Sequence, residues 1–415
     1  MGLGSTLSGR LLRARLRRAV RRGGDAALLE LVPEPLTDLF RRDGLAPLVP
    51  PRGSPWEGVA PAPLGFGVNL WLVNSPDLVR HVLAAEDTFG NDPARLPFMG
   101  QFMRGQVLGG LGTCDPPLHG RLRRILAPEF TARGLRHLEP RIRRIVDEQL
   151  DLMAGRPQPV DLLEAFAWPV PARTMCELLG IPAAHRTDFQ RLSAQRFDII
   201  PGLDALFGAV SSSLARLEQL IADERSDPGN RLLGTMVTRG TGLDDRTLAG
   251  LADGVLTGGL ETTVGMLALG ALVLLRDPRA RERATDSRAV DGLVEDLLRR
   301  LSVVQVSFPR YPLRACRLGD HRVSEGDVVI CSLLRANHDT STEPSQARAS
   351  RHHLAFGHGP HRCLGAELAR MELRIAYRRL VERFPRMRLA IDEHEVPFHR
   401  LAMVYGLQRL PVVLS

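Results

Sequence analysis

A mainly α-helical fold with small β-sheets, built as a single domain, is predicted by three observations. Between Leu118 and Leu301, Leu, Ile and Ala recur at three- and four-residue spacing, the period of helices that bury one face. Strand-like alternation is confined to short runs at Asn69–Asn74, Arg322–Leu333 and Val404–Leu414. Neither an internal repeat nor a linker divides the chain, and its 415 residues, 44% hydrophobic and 25% charged, suffice for one large core.

Residues 1–22 hold seven arginines (Arg10, Arg13, Arg15, Arg17, Arg18, Arg21 and Arg22) and no acid, so of the net charge of +8 only +1 belongs to the rest. A nearly neutral body with a basic tail argues against a nucleic-acid-binding protein. Leu12, Leu16, Ala19 and Val20 share one side of the tail at helical spacing, which suits either an amphipathic surface helix or a solvated terminus. No apolar stretch follows Arg17-Arg18, so a twin-arginine export signal is not expected. Pro33–Arg42 reads as a short helix, 45–63 as a Pro/Gly-rich segment, and Ser75-Pro76 as the start of a helix through Ala84. The later helical pattern breaks at Pro157, Pro159, Pro182, Pro201 and Gly240, and its longest helix begins near Asp244–Asp245 and stops at Asp277-Pro278. The longest uncharged apolar stretch, Val264 to Leu275, has twelve residues. A bilayer span needs about 18, so no transmembrane anchor is expected. The expected organisation is a basic tail over 1–32 and one domain over 33–415.

Five cysteines (Cys114, Cys176, Cys316, Cys331 and Cys363) are too scattered for a disulfide framework or a CxxC metal site, which suits a reducing cytoplasm. Cys363 stands apart by its surroundings. The run Phe356-Gly357-His358-Gly359-Pro360-His361-Arg362-Cys363-Leu364-Gly365-Ala366-Glu367-Leu368-Ala369-Arg370 presents one cysteine from a glycine-rich loop just before a helical pattern. The glycines permit close backbone approach, and the amides opening the helix bring partial positive charge towards sulfur. Both favour thiolate over thiol. A cysteine alone would read as a buried structural thiol.

With its spacing, this run resembles the haem-binding loop of the cytochrome P450 family: Phe356, three glycines, His361, Cys363, then Leu368-Ala369-Arg370. The resemblance implies the family's triangular-prism fold over 33–415 and haem b as cofactor, with Cys363 the axial ligand of iron and Phe356 and Gly365 beside it. Gly258-Gly259-Leu260-Glu261-Thr262-Thr263, within the longest helix, is similar to the oxygen-binding groove of that family. By that match Glu261 is the acid and Thr262 the alcohol that deliver protons to dioxygen. Paired glycines and threonines also predict a local widening of the helix.

Haem propionates need cations or hydrogen-bond donors. His119 and Arg123, one helical turn apart in Asp115–Arg124, Arg310 ahead of a strand, and His361 resemble the family's propionate partners. In the helix before Arg310 the family has Glu-x-x-Arg, whereas here the in-register pair is Asp296/Arg299, with Glu295/Arg299 as the i,i+4 alternative. The stretch between Asn337 and the Cys363 loop is shorter than the family pattern and lacks its Phe/Arg meander. Substrate contacts are implied at Phe98 and Phe102, Gly258, Val303, and Met403 and Val404; these apolar positions equally suit plain core.

The resemblance implies a cytoplasmic haem-thiolate monooxygenase of actinobacterial type, oxidising an apolar small molecule in secondary metabolism. Electrons would come from NAD(P)H through a separate reductase and ferredoxin. The alternatives are oxidative coupling of aromatic or peptide substrates by the same cofactor, and a non-catalytic haem sensor or scaffold, the latter suggested by Asp296 and the shortened meander.

Overall fold

The computed structural model describes residues 42, 44–45, 58–63, 69–95, 110–189, 203–339, 352–399 and 404–415, with 62–63 and 203–211 as backbone only. The basic tail, the expected helix at 33–42 apart from Arg42, and Phe98, Phe102 and Met403 lie outside these residues.

Among the described residues, the α-helices of six or more residues with both ends described are α1 (Pro76–Ala84), α2 (Leu118–Leu126), α3 (Glu139–Ala154), α4 (Pro169–Leu179), α5 (Leu203–Ser226), α6 (Leu232–Arg239), α7 (Asp245–Arg276), α8 (Pro278–Thr285), α9 (Val290–Leu301), α10 (Leu333–His338) and α11 (Ala366–Arg383). At 32 residues α7 is the longest, and α4, α5, α9 and α11 all pack on it. Its start is fixed by Asp244, whose side chain accepts the Thr247 N–H at 2.7 Å. Its end is fixed by Asp277, which caps α8 by accepting the Arg279 N–H at 2.9 Å, with Pro278 in the first helical turn. An 18-residue window of α7 is apolar enough to cross a membrane, but 72% of that window is buried inside the protein. Packing on several sides explains its hydrophobicity.

Close approach to α7 is set by small residues. A Cβ on Gly270 would lie 1.9 Å from the Tyr377 hydroxyl of α11, and that buried hydroxyl donates to the Met266 carbonyl. A Cβ on Gly259 would lie 2.4 Å from Met175 Sδ of α4. The helix is α throughout, so the widening expected at Gly258–Thr263 does not break it. Thr262 and Thr263 bond back to the Gly258 and Gly259 carbonyls without displacing the helical frame.

A smaller hydrophobic cluster lies under a mixed sheet of β1 (Val59–Pro63), β2 (Asn69–Val73) and β3 (Val328–Cys331). β1 runs antiparallel to β2 (Val59↔Val73), and β2 runs parallel to β3 (Leu70↔Val328). Pro61 and Pro63 conceal β1 in the sequence, and an edge strand is where prolines are tolerated. The run at 322–333 resolves into a short strand (His321–Val323), a turn at Gly326 with φ +90°, β3, and then α10, capped by Ser332. Of the last expected strand, Val404 forms a bridge to Val304, and only Pro411–Val413 is a named strand, pairing with Val160–Asp161 and Arg388–Leu389. The helical stretch also holds a π turn at Leu163–Ala167 that no spacing pattern announces.

These contacts set opposite expectations for two glycines of one helix. Gly270→Ala should destabilise by about 1–3 kcal/mol through overpacking, despite alanine's helix propensity. Gly258→Ala, whose methyl would meet nothing within 4 Å, should gain up to about 1 kcal/mol. Urea unfolding of both variants measures the difference.

Candidate active site

The loop carrying Cys363 is folded by its own backbone. Gly357 and Gly359 take φ of +69° and +71°, values that L side chains rarely adopt. At Gly359 a Cβ would also lie 2.4 Å from the Leu83 carbonyl, so the loop rests directly on the end of α1. Gly357 N–H donates to Leu354 O at 2.8 Å, Arg362 N–H to Gly359 O at 3.0 Å, and Cys363 N–H to Phe356 O at 2.8 Å. The sulfur accepts from the Gly365 N–H, and α11 begins at the next residue.

Cys363 is exposed by surface area, yet its thiol is desolvated by the protein around it. A side chain lining an internal hollow meets both conditions. Desolvation pushes its pKa up, and the Gly365 N–H with Arg362, Arg123 and Arg370 only partly offsets that. This corrects the sequence expectation: loop and helix amides do not by themselves make a thiolate here. A metal cation at the sulfur would supply the missing charge, since a coordinated thiol loses its proton outright. A Cβ at Gly365, whose N–H meets the sulfur, would find no atom within 4 Å, so there is open space close to the sulfur. Thiol, space and donors therefore fit a haem.

The expected propionate partners come together from three segments. His119 and His361 stack with ring centroids 3.8 Å apart. His361 Nδ1 sits 3.1 Å from the Leu111 carbonyl, and Arg123 donates to the Arg362 carbonyl at 3.0 Å. Arg310 is 4% exposed, its backbone paired with Val329 and its guanidinium 3.3 Å from the Phe308 carbonyl. Burial lowers the pKa of both histidines, His361 to about 3, so both are neutral near pH 7. The Nε2 atoms of His119 and His361 are buried without a hydrogen-bond partner.

Glu86, just past α1, completes this cluster: its Oε1 lies 3.5 Å from His119 Nδ1 and 3.4 Å from His361 Nε2. These three side chains have the donor set of a metal site. The positive fields of Arg123 and Arg310 oppose a cation among these side chains and favour an anionic group. No spacing in the sequence ties Glu86 to His119 or His361, so the sequence alone does not identify it. Burial is the main reason that its carboxyl pKa is raised, with Asp115 adding to the effect.

Asp296 and Glu295 part ways. Asp296 Oδ1 lies 3.4 Å from Arg299, with Arg283 and Arg300 at 3.7 and 3.6 Å from its other oxygen. Arg299 also reaches the Asn337 carbonyl at 3.3 Å, and the Asn337 side chain accepts the Leu354 N–H at 2.6 Å, ahead of the Cys363 loop. Glu295 turns instead to Arg370, at 2.6 and 3.1 Å, and to His353.

On α7, Glu261 has its pKa raised to about 8 by burial, and the Thr262 hydroxyl donates to the Gly258 carbonyl at 2.7 Å. A carboxyl with that pKa holds its proton near neutrality and can give it up. Val303 and Val404 face Gly265, one turn further on: Val404 Cγ1 lies 3.5 Å and Val303 Cγ1 3.6 Å from where its Cβ would be.

A mainly helical fold, a cysteine in a glycine-built loop and a protonated acid beside a threonine together fit a haem-thiolate enzyme. A sequence profile of the family "Cytochrome P450" matches residues 288–404. Cytochrome P450 165C4 of Amycolatopsis orientalis is 37% identical over 351 residues, covering 83% of this chain and 86% of that protein. The 20-oxo-5-O-mycaminosyltylactone 23-monooxygenase of Streptomyces fradiae is 35% identical over 366 residues, 86% of each chain. The structure of P450 StaH, from glycopeptide antibiotic biosynthesis, matches with a TM-score of 0.78 at 34% identity, over 90% of this chain and 99% of that one. The chain belongs to the cytochrome P450 family and is a haem monooxygenase of secondary metabolism, as such relatives are.

Glu261 carries a stability cost with a definite sign. Its native pKa, about 8, lies above the ordinary 4.5, so between those values the folded protein holds a proton that the unfolded chain has released. Stability therefore falls as pH rises through that window. Glu261→Gln, which cannot ionise in either state, should be the more stable protein above pH 5, by on the order of 2–4 kcal/mol at pH 8. Chemical denaturation of both proteins from pH 5 to 8 checks this; parallel curves would contradict it.

Proposed function

We propose that this enzyme hydroxylates an apolar small molecule, with Cys363 as the residue whose thiolate would hold the iron of haem b. The observation that carries the reading is the Cys363 thiol itself: accessible, desolvated, and held by Gly365 N–H in a loop with room beside it. Haem, when bound, activates dioxygen, and thiolate ligation favours O–O cleavage.

The chain's own residues divide the remaining work. His119, Arg123, Arg310 and His361 bind the propionates; the orphaned Nε2 of buried His119 and the buried Arg310 cation support this. Glu261 holds a proton at its carboxyl and passes it towards the Thr262 hydroxyl, which is oriented by Gly258 O. Gly258, Val303 and Val404 line the substrate side, with Phe98, Phe102 and Met403 added by the sequence resemblance. Arg299 with Asp296 anchors the approach to the Cys363 loop through Asn337. Electrons come from NAD(P)H through a separate reductase and ferredoxin in the cytoplasm, and residues 1–32 form a tail outside the catalytic domain.

Oxidative coupling is the second reading, favoured by the likeness to a P450 of glycopeptide antibiotic biosynthesis. Labelled dioxygen separates the two, since hydroxylation leaves one labelled atom in the product and coupling leaves none.

Thr262→Ala should leave haem content unchanged while several-fold more of the electrons consumed end as hydrogen peroxide, because proton delivery loses its oriented hydroxyl. Peroxide and product assayed against NAD(P)H oxidation measure this. Unaltered coupling would remove Thr262 from the proposed role.

A further inference from the structure

The side chain on which the Cys363 loop most directly depends is Glu295, one residue from the acid that the family pattern selects. We propose that Glu295 is a positioning residue for the Cys363 sulfur, acting by clasping both limbs of its loop. This rests on the haem-thiolate reading above.

Phe356 and Arg370 stand seven residues before and seven after Cys363. Glu295, on α9, grips the second limb by a two-pronged pair with Arg370: Oε1 to Nε at 2.6 Å and Oε2 to Nη2 at 3.1 Å. That fork fixes the guanidinium plane as a single hydrogen bond would not. The fixed guanidinium lies over the Phe356 ring, 4.7 Å from its centroid, and so joins the second limb to the first. Phe356 in turn gives its carbonyl to the Cys363 N–H at 2.8 Å.

Glu295 also reaches the first limb directly. His353 accepts the Ala355 N–H at Nδ1, so its proton sits on Nε2, 3.2 Å from Glu295 Oε2 though off the best hydrogen-bond direction. The His353 ring lies 5.8 Å from that of Phe356. Burial alone would raise the pKa of Glu295, but His353 and Arg370 outweigh it and bring the carboxyl to about 2, so the clasp is ionised throughout the working range. Asp296 has no such reach. Its partners are Arg283, Arg299 and Arg300, and its link to the loop passes through Asn337 to Leu354, short of Phe356.

If the clasp sets the sulfur, loosening it should let the sulfur take up a proton. The reduced carbon-monoxide complex reports this by losing its red-shifted Soret band, whereas a purely structural role would change only haem content or unfolding. In the haem-loaded protein, Glu295→Gln should shorten the lifetime of that band by about threefold or more. Arg370→Lys should do the same, since it keeps the charge but loses the fork and the flat face over Phe356. The double variant should be no worse than either single one, and Glu295→Asp should recover part of the lifetime. Asp296→Asn should leave it within about twofold of wild type.

A Glu295→Gln protein with reduced haem content but a normal band lifetime would overturn the proposal, as would an equal effect of Asp296→Asn. Should Glu295→Gln fail to accumulate, Arg370→Lys and Glu295→Asp decide the matter, and normal lifetimes in both would overturn it. A wild-type complex with no red-shifted band would refute the thiolate assignment itself, and this role with it.

Discussion

Desolvation of one sulfur atom constrains much of this molecule. Cys363 sits where protein disfavours the charged form of its thiol, yet ligation to iron requires that charge. The surrounding structure lowers the cost piecemeal. Gly365 contributes an N–H, Arg123, Arg362 and Arg370 contribute positive potential, and Gly357 and Gly359 bend the loop so that these groups face the sulfur. On the proposed reading, iron at the sulfur would supply the rest. The cysteine would then be better matched to the loaded protein than to the empty one, and haem binding would be coupled to the final shape of this loop.

The fold serves that arrangement from two sides. Behind the loop, α11 is locked to α7 by Tyr377 against Gly270, so the element that begins beside the ligand is packed on the helix that carries Glu261 and Thr262. In front, the end of α1 meets Gly359 at Leu83 and places Glu86 against His361 two residues later in the loop. Glu261 is held at a pKa of about 8 by the burial that the α7 packing imposes. Stability given up at a functional acid is the usual exchange at active sites, and on the proposed reading the packing that raises the Glu261 pKa also holds that acid in place.

Legibility in the sequence followed the range of the contacts. The Cys363 loop and the Glu261-Thr262 pair could be read because each is contiguous and its chemistry depends on neighbours within a few residues. Helix starts at Pro76 and Asp245 were legible for the same local reason, through Ser75-Pro76 and Asp244. Glu86 was not, since it meets His119 and His361 only after α1, α2 and the loop have packed. The choice between Asp296 and Glu295 was open because both lie within a helical turn of Arg299; the position of Arg370 on α11, which draws Glu295 away, is tertiary information. β1 was hidden by Pro61 and Pro63, whose tolerance depends on lying at a sheet edge. The state of the sulfur is not legible in the loop, because its amides act against a burial that only the packed fold imposes.

The central claim is that Cys363 binds the iron of haem as a thiolate. The most direct measurement is the absorption spectrum of the reduced carbon-monoxide complex of wild type beside Cys363→His, both reconstituted with haem. Thiolate donation opposite the gas predicts the red-shifted Soret band in wild type and its complete loss in the variant, with haem still bound through the imidazole. A red-shifted band that survives in Cys363→His, or is missing from wild type, would contradict the account.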